Sequence, residues 1–427
     1  MTTPTFTART DRCLIRIGSH SQRFVLAQVV APQAATGRTR PSVNLAIVLD
    51  RSGSMSGDKL RVAKAAVEEA IARLQPQDRF SVVVYDDVVD VVIESTVASP
   101  EARRGAIGQL REIEARGSTN LAEGWLRGCE QVAAQLLEHG VNRCLLLTDG
   151  LANVGITDHG QLSLHATELR ARGVSTSTFG VGSDFDETLL QELADAGGGH
   201  FYYIADAPQI RDAITSEVGE TLDVVARDVQ LNVTARDDIM IEPISPYKVS
   251  TRAHRTVVSL GDLVSGQVVE VVLRLSFPYG ELGRDAGAAF AVVDTEGVFD
   301  TGDRGPAEPV RLTWTWADHR SNDAQPRDRD VDRAVARRFA ARARQEAVGR
   351  NRIHDYEGAR AMLVGTAQRI RSYAGQDPEL SAIAGLLERE EAVYAAPMPE
   401  DARKQAHFAS ANLMRSRDAV GRSVKRG

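Results

Sequence analysis

At 427 residues the chain is too long for one ordinary hydrophobic core, so two or three domains are expected. Apolar residues make up 43% and charged residues 26%, the balance of a soluble globular protein. A formal net charge of -7 argues against general nucleic-acid binding.

Residues 12–31 contain CLIRIG and RFVLAQVV, two short predicted strands, followed by a Gly/Thr/Arg/Pro loop. From Val43 strands alternate with helices. VNLAIVL is a short, fully apolar strand. DKLRVAKAAVEEAIARL sets Leu60, Ala63, Val67, Ala70, Ile71 and Leu74 on one helical stripe. FSVVVY and VVDVVI flank Asp86 and Asp87 as a hairpin, with both aspartates read as turn formers. Helices are predicted at 100–114 and 120–138, and RCLLLTDG is the next buried strand. QLSLHATELRARG is a helix that stops at Gly173. VSTSTFGVG follows as a strand, then a helix that the triple glycine at 197–199 ends. HFYYI is a strand with His200 on its surface, and a final helix covers 207–220. This rhythm predicts an α/β fold, a doubly wound, mainly parallel, Rossmann-like sheet covered on both faces.

Near Asp223 the chain turns all-β. DVQLNVTARDD, RTVVSLGDLVSGQVVEVVLRLSF, AGAAFAVVD and EPVRLTWTW read as the strands of a sandwich. Trp314 and Trp316 are read as one core residue and one residue facing a domain boundary. An isolated hairpin is marginal in water, so the strands of residues 12–31 are expected to join this sandwich. ADHRSNDAQPRDRD reads as a polar linker. From Val331 to about Ala396 the chain is helical, and a last helix follows a proline break. The apolar stripe of this segment is expected to pack on its own hairpin. The expected domains are thus 1–41 (strands joining the sandwich), 42–220 (the α/β unit), 221–317 (the sandwich) and 328–427 (the helical part).

In an open parallel sheet, ligands sit beyond the carboxyl ends of the strands, at the topological switch point. Asp50 ends the first α/β strand, and Ser52 and Ser54 lie in the loop after it. Thr119 precedes a helix in RGSTNLAEG, and Asp149 ends the strand LLLTDG. Two carboxylates and three hydroxyls, without His or Cys, suit a hard divalent cation. By itself D-x-S-x-S is most often a turn that caps the next helix. The threonine and the second aspartate, each in its own context, shift the reading to a metal site.

These residues resemble the metal-ion-dependent adhesion site of von Willebrand factor A domains. The resemblance covers roughly residues 42–220 and includes NLAIVLDRSGSMSGDKL, DRFSVVVYDD, GSTNL, LLLTDG and GVGSDFDETLLQELADAGGGHFYYIAD in that order. It implies that Ser52, Ser54 and Thr119 bind the metal directly, and Asp50 and Asp149 directly or through water. The cation is expected to be Mg2+, with Mn2+ or Ca2+ as alternatives. Arg51 departs mildly from the family pattern, and its charge is expected either to weaken metal binding or to attract an acidic ligand. The flanking segments are similar to bacterial proteins labelled calcium-activated chloride-channel homologues, and to the start of inter-alpha-trypsin inhibitor heavy chains.

An open coordination position favours an incoming Asp or Glu carboxylate from a partner protein, and no enzymatic activity is expected. The chain has no G-x-S-x-G elbow, and the motif is read as having no His or Lys near it in sequence to act as an obvious base. Two other functions stand beside this one: an adaptor or cochaperone of a MoxR-type AAA ATPase, and a phosphoryl-transfer or hydrolytic enzyme using the same ion. Cys13, Cys129 and Cys144 are odd in number and lack metal spacing, so they read as reduced thiols of a cytoplasmic protein. The N-terminus lacks the apolar stretch of a signal peptide, and no run of about 18 apolar residues predicts a membrane span.

Overall fold

The computed structural model describes residues 5–34, 40–236, 238–295, 298–299 and 309–426. It divides into two compact units, Gly37–Val224 and the residues on either side of it.

The outer unit begins with β1 (Thr5–Thr10), β2 (Leu14–Arg16) and β3 (Ser21–Val30). The inner unit then follows, built on β4 (Val43–Asp50), β5 (Arg79–Tyr85), β6 (Val89–Val97), β7 (Val141–Thr148), β8 (Ser175–Val181) and β9 (Gly198–Ile204). Its helices are α1 (Asp58–Ala72), α2 (Pro100–Arg111), α3 (Leu121–Ala133), α4 (His159–Ala171), α5 (Glu187–Gly197) and α6 (Ala207–Leu222). The strand order is β6-β5-β4-β7-β8-β9. Only the hairpin strand β6 runs antiparallel to its neighbour.

All eight residues of β4 and of β7 are buried, as expected of strands covered on both faces. On α1, Leu60, Ala63, Val67, Ala70 and Ile71 form the buried stripe. The α3 helix lies especially close to the sheet. A methyl group at Gly124 would come within 2.5 Å of the Tyr85 ring, and one at Gly128 within 2.2 Å of Val48 Cγ2. Helix α5 ends at the left-handed Gly198 (φ +72°), so the triple glycine is a helix stop. Because β4 pairs with β5 on one side and β7 on the other, the direction of winding reverses between β4 and β7. That reversal leaves a crevice where Asp50 and Asp149 emerge.

The outer unit continues with β10 (Val224–Ala235), β11 (Met240–Pro243), β12 (Lys248–Arg252), β13 (Arg255–Val264), β14 (Val268–Phe277), β15 (Asp285–Val293) and β16 (Val310–Ala317). Its two sheets have the orders β1-β3-β14-β11 and β12-β13-β10-β15-β16-β2. The early strands enter both. β3 pairs antiparallel with β14 from Val30↔Val268 to Ser21↔Phe277, and β2 pairs parallel with β16. The result is a β-sandwich built from both flanks of the α/β unit. Ile15, Val25, Val29, Leu231, Leu273, Phe277, Phe290 and both tryptophans share its core. Trp314 and Trp316 are two apart on one strand, so their side chains fall on the same face, which corrects the expectation that only one is core. Strands β1, β11 and β12 are additions to the expected set, all short and two of them rich in polar residues.

The polar linker also proves to be ordered. It holds α7 (His319–Ala324), whose buried Asn322 accepts a hydrogen bond from Arg23 Nη2 at 2.5 Å. Four helices follow: α8 (Arg329–Arg352), α9 (Tyr356–Ala374), α10 (Pro378–Tyr394) and α11 (Glu400–Met414). One face of α8, with Ala336, Ala340 and Ala347, packs on Leu363 and Ile370 of α9 and Leu380 and Leu387 of α10. The other face, with Val331, Ala334 and Val335, packs on Leu26 and Val272 of the sandwich. The helical segment therefore serves its own core and covers a sheet as well. Among the described residues, no helix is long and apolar enough to cross a membrane.

Candidate metal centre

After β4 the chain turns through a single 3-10 turn over Gly53–Met55, with Met55 buried beneath it. The turn is held from outside by the Gly53 N–H, which donates to Gly117 O at 3.2 Å. Asp50 is wholly buried. Its Oδ1 accepts the Ser52 N–H at 2.8 Å, and its Oδ2 accepts the Thr148 hydroxyl at 2.6 Å. Burial pushes its carboxyl up to about 6, against the pull of the Thr148 and Ser52 hydrogen bonds and with the help of the nearby Asp149 charge.

The five predicted residues come together. Ser52 Oγ and Ser54 Oγ are 3.1 Å apart, and Ser54 Oγ donates to Asp149 Oδ1 at 2.7 Å. Thr119 closes the ring from α3's side. A methyl group at Gly150 would come within 3.3 Å of Thr119 Oγ1 and 3.9 Å of Ser54 Oγ. Thr119 is fixed by exchange with Asn153: its N–H donates to Asn153 Oδ1 at 3.2 Å, and its carbonyl accepts the Asn153 N–H at 3.4 Å. Asn120 caps α3 by accepting the Glu123 N–H. Its own N–H donates to Asp86 O at 2.8 Å, tying the Thr119 loop to the β5–β6 turn.

Three readings of single residues change. Arg51 does not face the cluster of hydroxyls and carboxylates. It is buried, its Nε donates to Asp86 Oδ2 at 2.9 Å, and its Nη2 reaches Asp90. Asp86 is correspondingly more than a turn former. It is buried, takes Arg116 Nε at 2.7 Å, and accepts the Val88 N–H at 2.6 Å. Burial opposes its charge, but the hydrogen bonds from Arg116, Val88 and Arg51 outweigh that and hold its carboxyl below the usual range. His200 is half-buried, with Nδ1 3.1 Å from Glu217 Oε2. Glu217 also takes Arg143 at 2.8 Å, Ser177 at 2.6 Å and Tyr202 at 2.8 Å, so this acidic group belongs to a core network toward the start of β7.

Sequence reasoning missed Lys59 and Thr148. Lys59 lies only five positions beyond Ser54, contrary to the reading that no lysine sits beside the motif, and its Nζ donates to Asp149 Oδ2 at 2.5 Å. Its signal was its place in the first turn of α1, next to the buried stripe and at the end of the helix that abuts the site. Thr148 was hidden within an apolar strand.

The family model for the von Willebrand factor type A domain matches residues 44–216. The uncharacterized protein YfbK of Escherichia coli strain K12 is 31% identical over 216 residues, which are 50% of this chain and 37% of that protein. Inter-alpha-trypsin inhibitor heavy chain H1 of Sus scrofa is 27% identical over 218 residues, 49% of this chain and 24% of that one. This chain thus spans well under half the length of either relative. A solved structure, described as von Willebrand factor type A from Catenulispora acidiphila, superposes with a TM-score of 0.70 at 17% identity, covering 100% of this chain and 98% of that one. Residues 44–216 of this chain thus match the von Willebrand factor type A domain in sequence, and the fold of the solved structure agrees with that match.

Proposed function

We propose that the chain is a metal-dependent protein-binding module. A divalent cation, Mg2+ by preference, is held by Asp50, Ser52, Ser54, Thr119 and Asp149, and a partner's Asp or Glu carboxylate completes its coordination. The observation that carries this reading is the gathering of three hydroxyls and two carboxylates from three separate loops around Gly150. The donor set fits the ion, since it is all oxygen and hydroxyls add no charge. It is also smaller than the six ligands Mg2+ prefers, so water or an incoming carboxylate must supply the rest. When bound, the cation supplies a positive, directional acceptor for an anionic oxygen.

The reading is one of binding without turnover. The one ammonium at the cluster among the described residues, Lys59, is engaged by Asp149 and is not held as a base. We further propose that residues 42–220 act as the binding unit, with 1–41 and 221–317 forming the sandwich and 328–427 the helical part. A cytoplasmic setting is supported by Cys129 and Cys144, which are buried, free thiols. Burial and the neighbouring Cys129 thiol push the Cys144 thiol well above its ordinary value.

Calorimetry with Mg2+ and Mn2+ on wild type and Asp50→Ala tests the site: equal binding by the two proteins sinks it. Pull-down from native lysate with and without EDTA tests the function. A partner lost on chelation supports the reading, and an AAA ATPase among such partners would make the chain an adaptor. A partner that binds undiminished in EDTA overturns it.

A further inference from the structure

Three basic side chains stand on the loops and helix around the ligand cluster among the described residues. Arg51 and Arg116 both turn to Asp86 and Asp90. Lys59 faces the cluster itself. Its Nζ is 2.5 Å from Asp149 Oδ2, with the aspartate side chain fully buried and the lysine side chain 32% exposed. The other oxygen of Asp149 is the one bonded to Ser54. The lysine tip also lies along the end of β8, where a methyl group at Gly182 would come within 3.7 Å of Nζ.

We infer that Lys59 is a resident counter-charge of the metal centre, lowering the affinity of the site for a divalent cation and raising the affinity of the metal-loaded site for a carboxylate. The inference rests on the metal-binding reading above. Two carboxylates alone would neutralise a divalent cation and leave little attraction for a further anion. With the ammonium added, the loaded site keeps a net positive charge, and an incoming carboxylate meets it in a partly buried setting where screening is weak. The same ammonium works against the metal. If it stays on Asp149 it repels the cation, and if it leaves, a short ion pair to a buried carboxylate is lost. Either way metal binding is weaker than the oxygen set would give. An acidic partner then gains the charge that the metal did not need. Lys59 thus shifts selectivity from the cation alone to the cation and carboxylate together.

The test is a titration of the full chain with Mn2+, followed by acetate titrated into the Mn2+-loaded protein and read by water-proton relaxation. Lys59→Met keeps much of the side-chain length and removes the charge. It should bind Mn2+ about tenfold tighter, or about 1.4 kcal/mol, and acetate severalfold more weakly. Lys59→Arg keeps the charge and should stay near wild type in both. The opposite signs matter, because damage to the loop would weaken both bindings. Lys59→Gln, a smaller neutral change, replaces Lys59→Met if the latter does not fold. Mn2+ affinity that is unchanged or lower without the lysine charge overturns the inference, and so does undiminished acetate binding. A wild type that takes up no Mn2+ would instead overturn the metal-binding reading itself.

Discussion

Arg51 Nε donates to Asp86 Oδ2 at 2.9 Å, and both side chains are buried. The pair joins the loop that carries Ser52 and Ser54 to the β5–β6 turn, and the Asp86 carbonyl in turn holds Asn120, next to Thr119. Arg51 therefore shapes the site from behind. Arg51→Ala leaves a buried carboxylate with Arg116 as its remaining basic partner, and should destabilise the protein by about 2 kcal/mol in urea unfolding. A change below about 0.5 kcal/mol would place the pair among ordinary surface bridges.

The raised carboxyl of Asp50 makes a signed pH prediction for the protein in chelator. Unfolded, an aspartate titrates near about 3.9, whereas in the fold Asp50 titrates at about 6. The folded state therefore binds the extra proton between these values, and stability falls as pH rises through that window. Asp50→Asn has no such proton to lose. From pH about 4 to pH about 6 the mutant should gain about 2 kcal/mol on the wild type. Denaturation curves at a series of pH values in EDTA read the difference directly. A constant difference across the window would mean that the Asp50 carboxyl is not raised.

Gly150 lies beside the Thr119 and Ser54 hydroxyls, with an added methyl 3.3 Å from Thr119 Oγ1. That contact is tight but not prohibitive, so the chain should fold with Gly150→Ala. The methyl should disturb the hydroxyls, and Mg2+ affinity is expected to fall about tenfold with a melting temperature close to wild type. Calorimetry and thermal unfolding on the same preparation separate the two effects. Unaltered affinity would mean that the ion does not use the Thr119 side of the cluster.

Removing residues 1–34 takes away β1, β2 and β3, and with them the partner of β14 along ten residue pairs. The sandwich core should open. Trp314 and Trp316, now buried, should shift their emission to the red, while Trp125 of α3 stays buried. Mn2+ binding should survive, because none of the residues proposed to hold the ion is in the deleted segment. Loss of metal binding with an unshifted tryptophan spectrum would reverse the assignment of these strands.

The oxygen-bearing side chains of the cluster and the strand ends that carry them were legible in the sequence. Asp50 follows a continuous apolar run and Asp149 comes one residue after a second, and such runs end at the face of a parallel sheet where ligands bind. The stripe of α1 was equally legible, because its period is local and needs no partner to define it. Strands β11 and β12 were not, since β11 has only four residues and ends in a proline, and β12 is short and largely polar, and both are shaped by the strands they edge. The ordered linker escaped for the same reason: its charges, such as Asp328, look solvated until Arg9 of β1, far away in sequence, binds them. The two cations of the motif were decided only in three dimensions. From sequence Arg51 adjoins the first ligand and Lys59 stands apart. The loop after β4, where the Arg51 N–H donates to Tyr85 O, turns the first toward Asp86, and helix α1 carries the second to Asp149. Sequence determines which charges a loop owns; the packing of distant segments decides which of them is left facing the site.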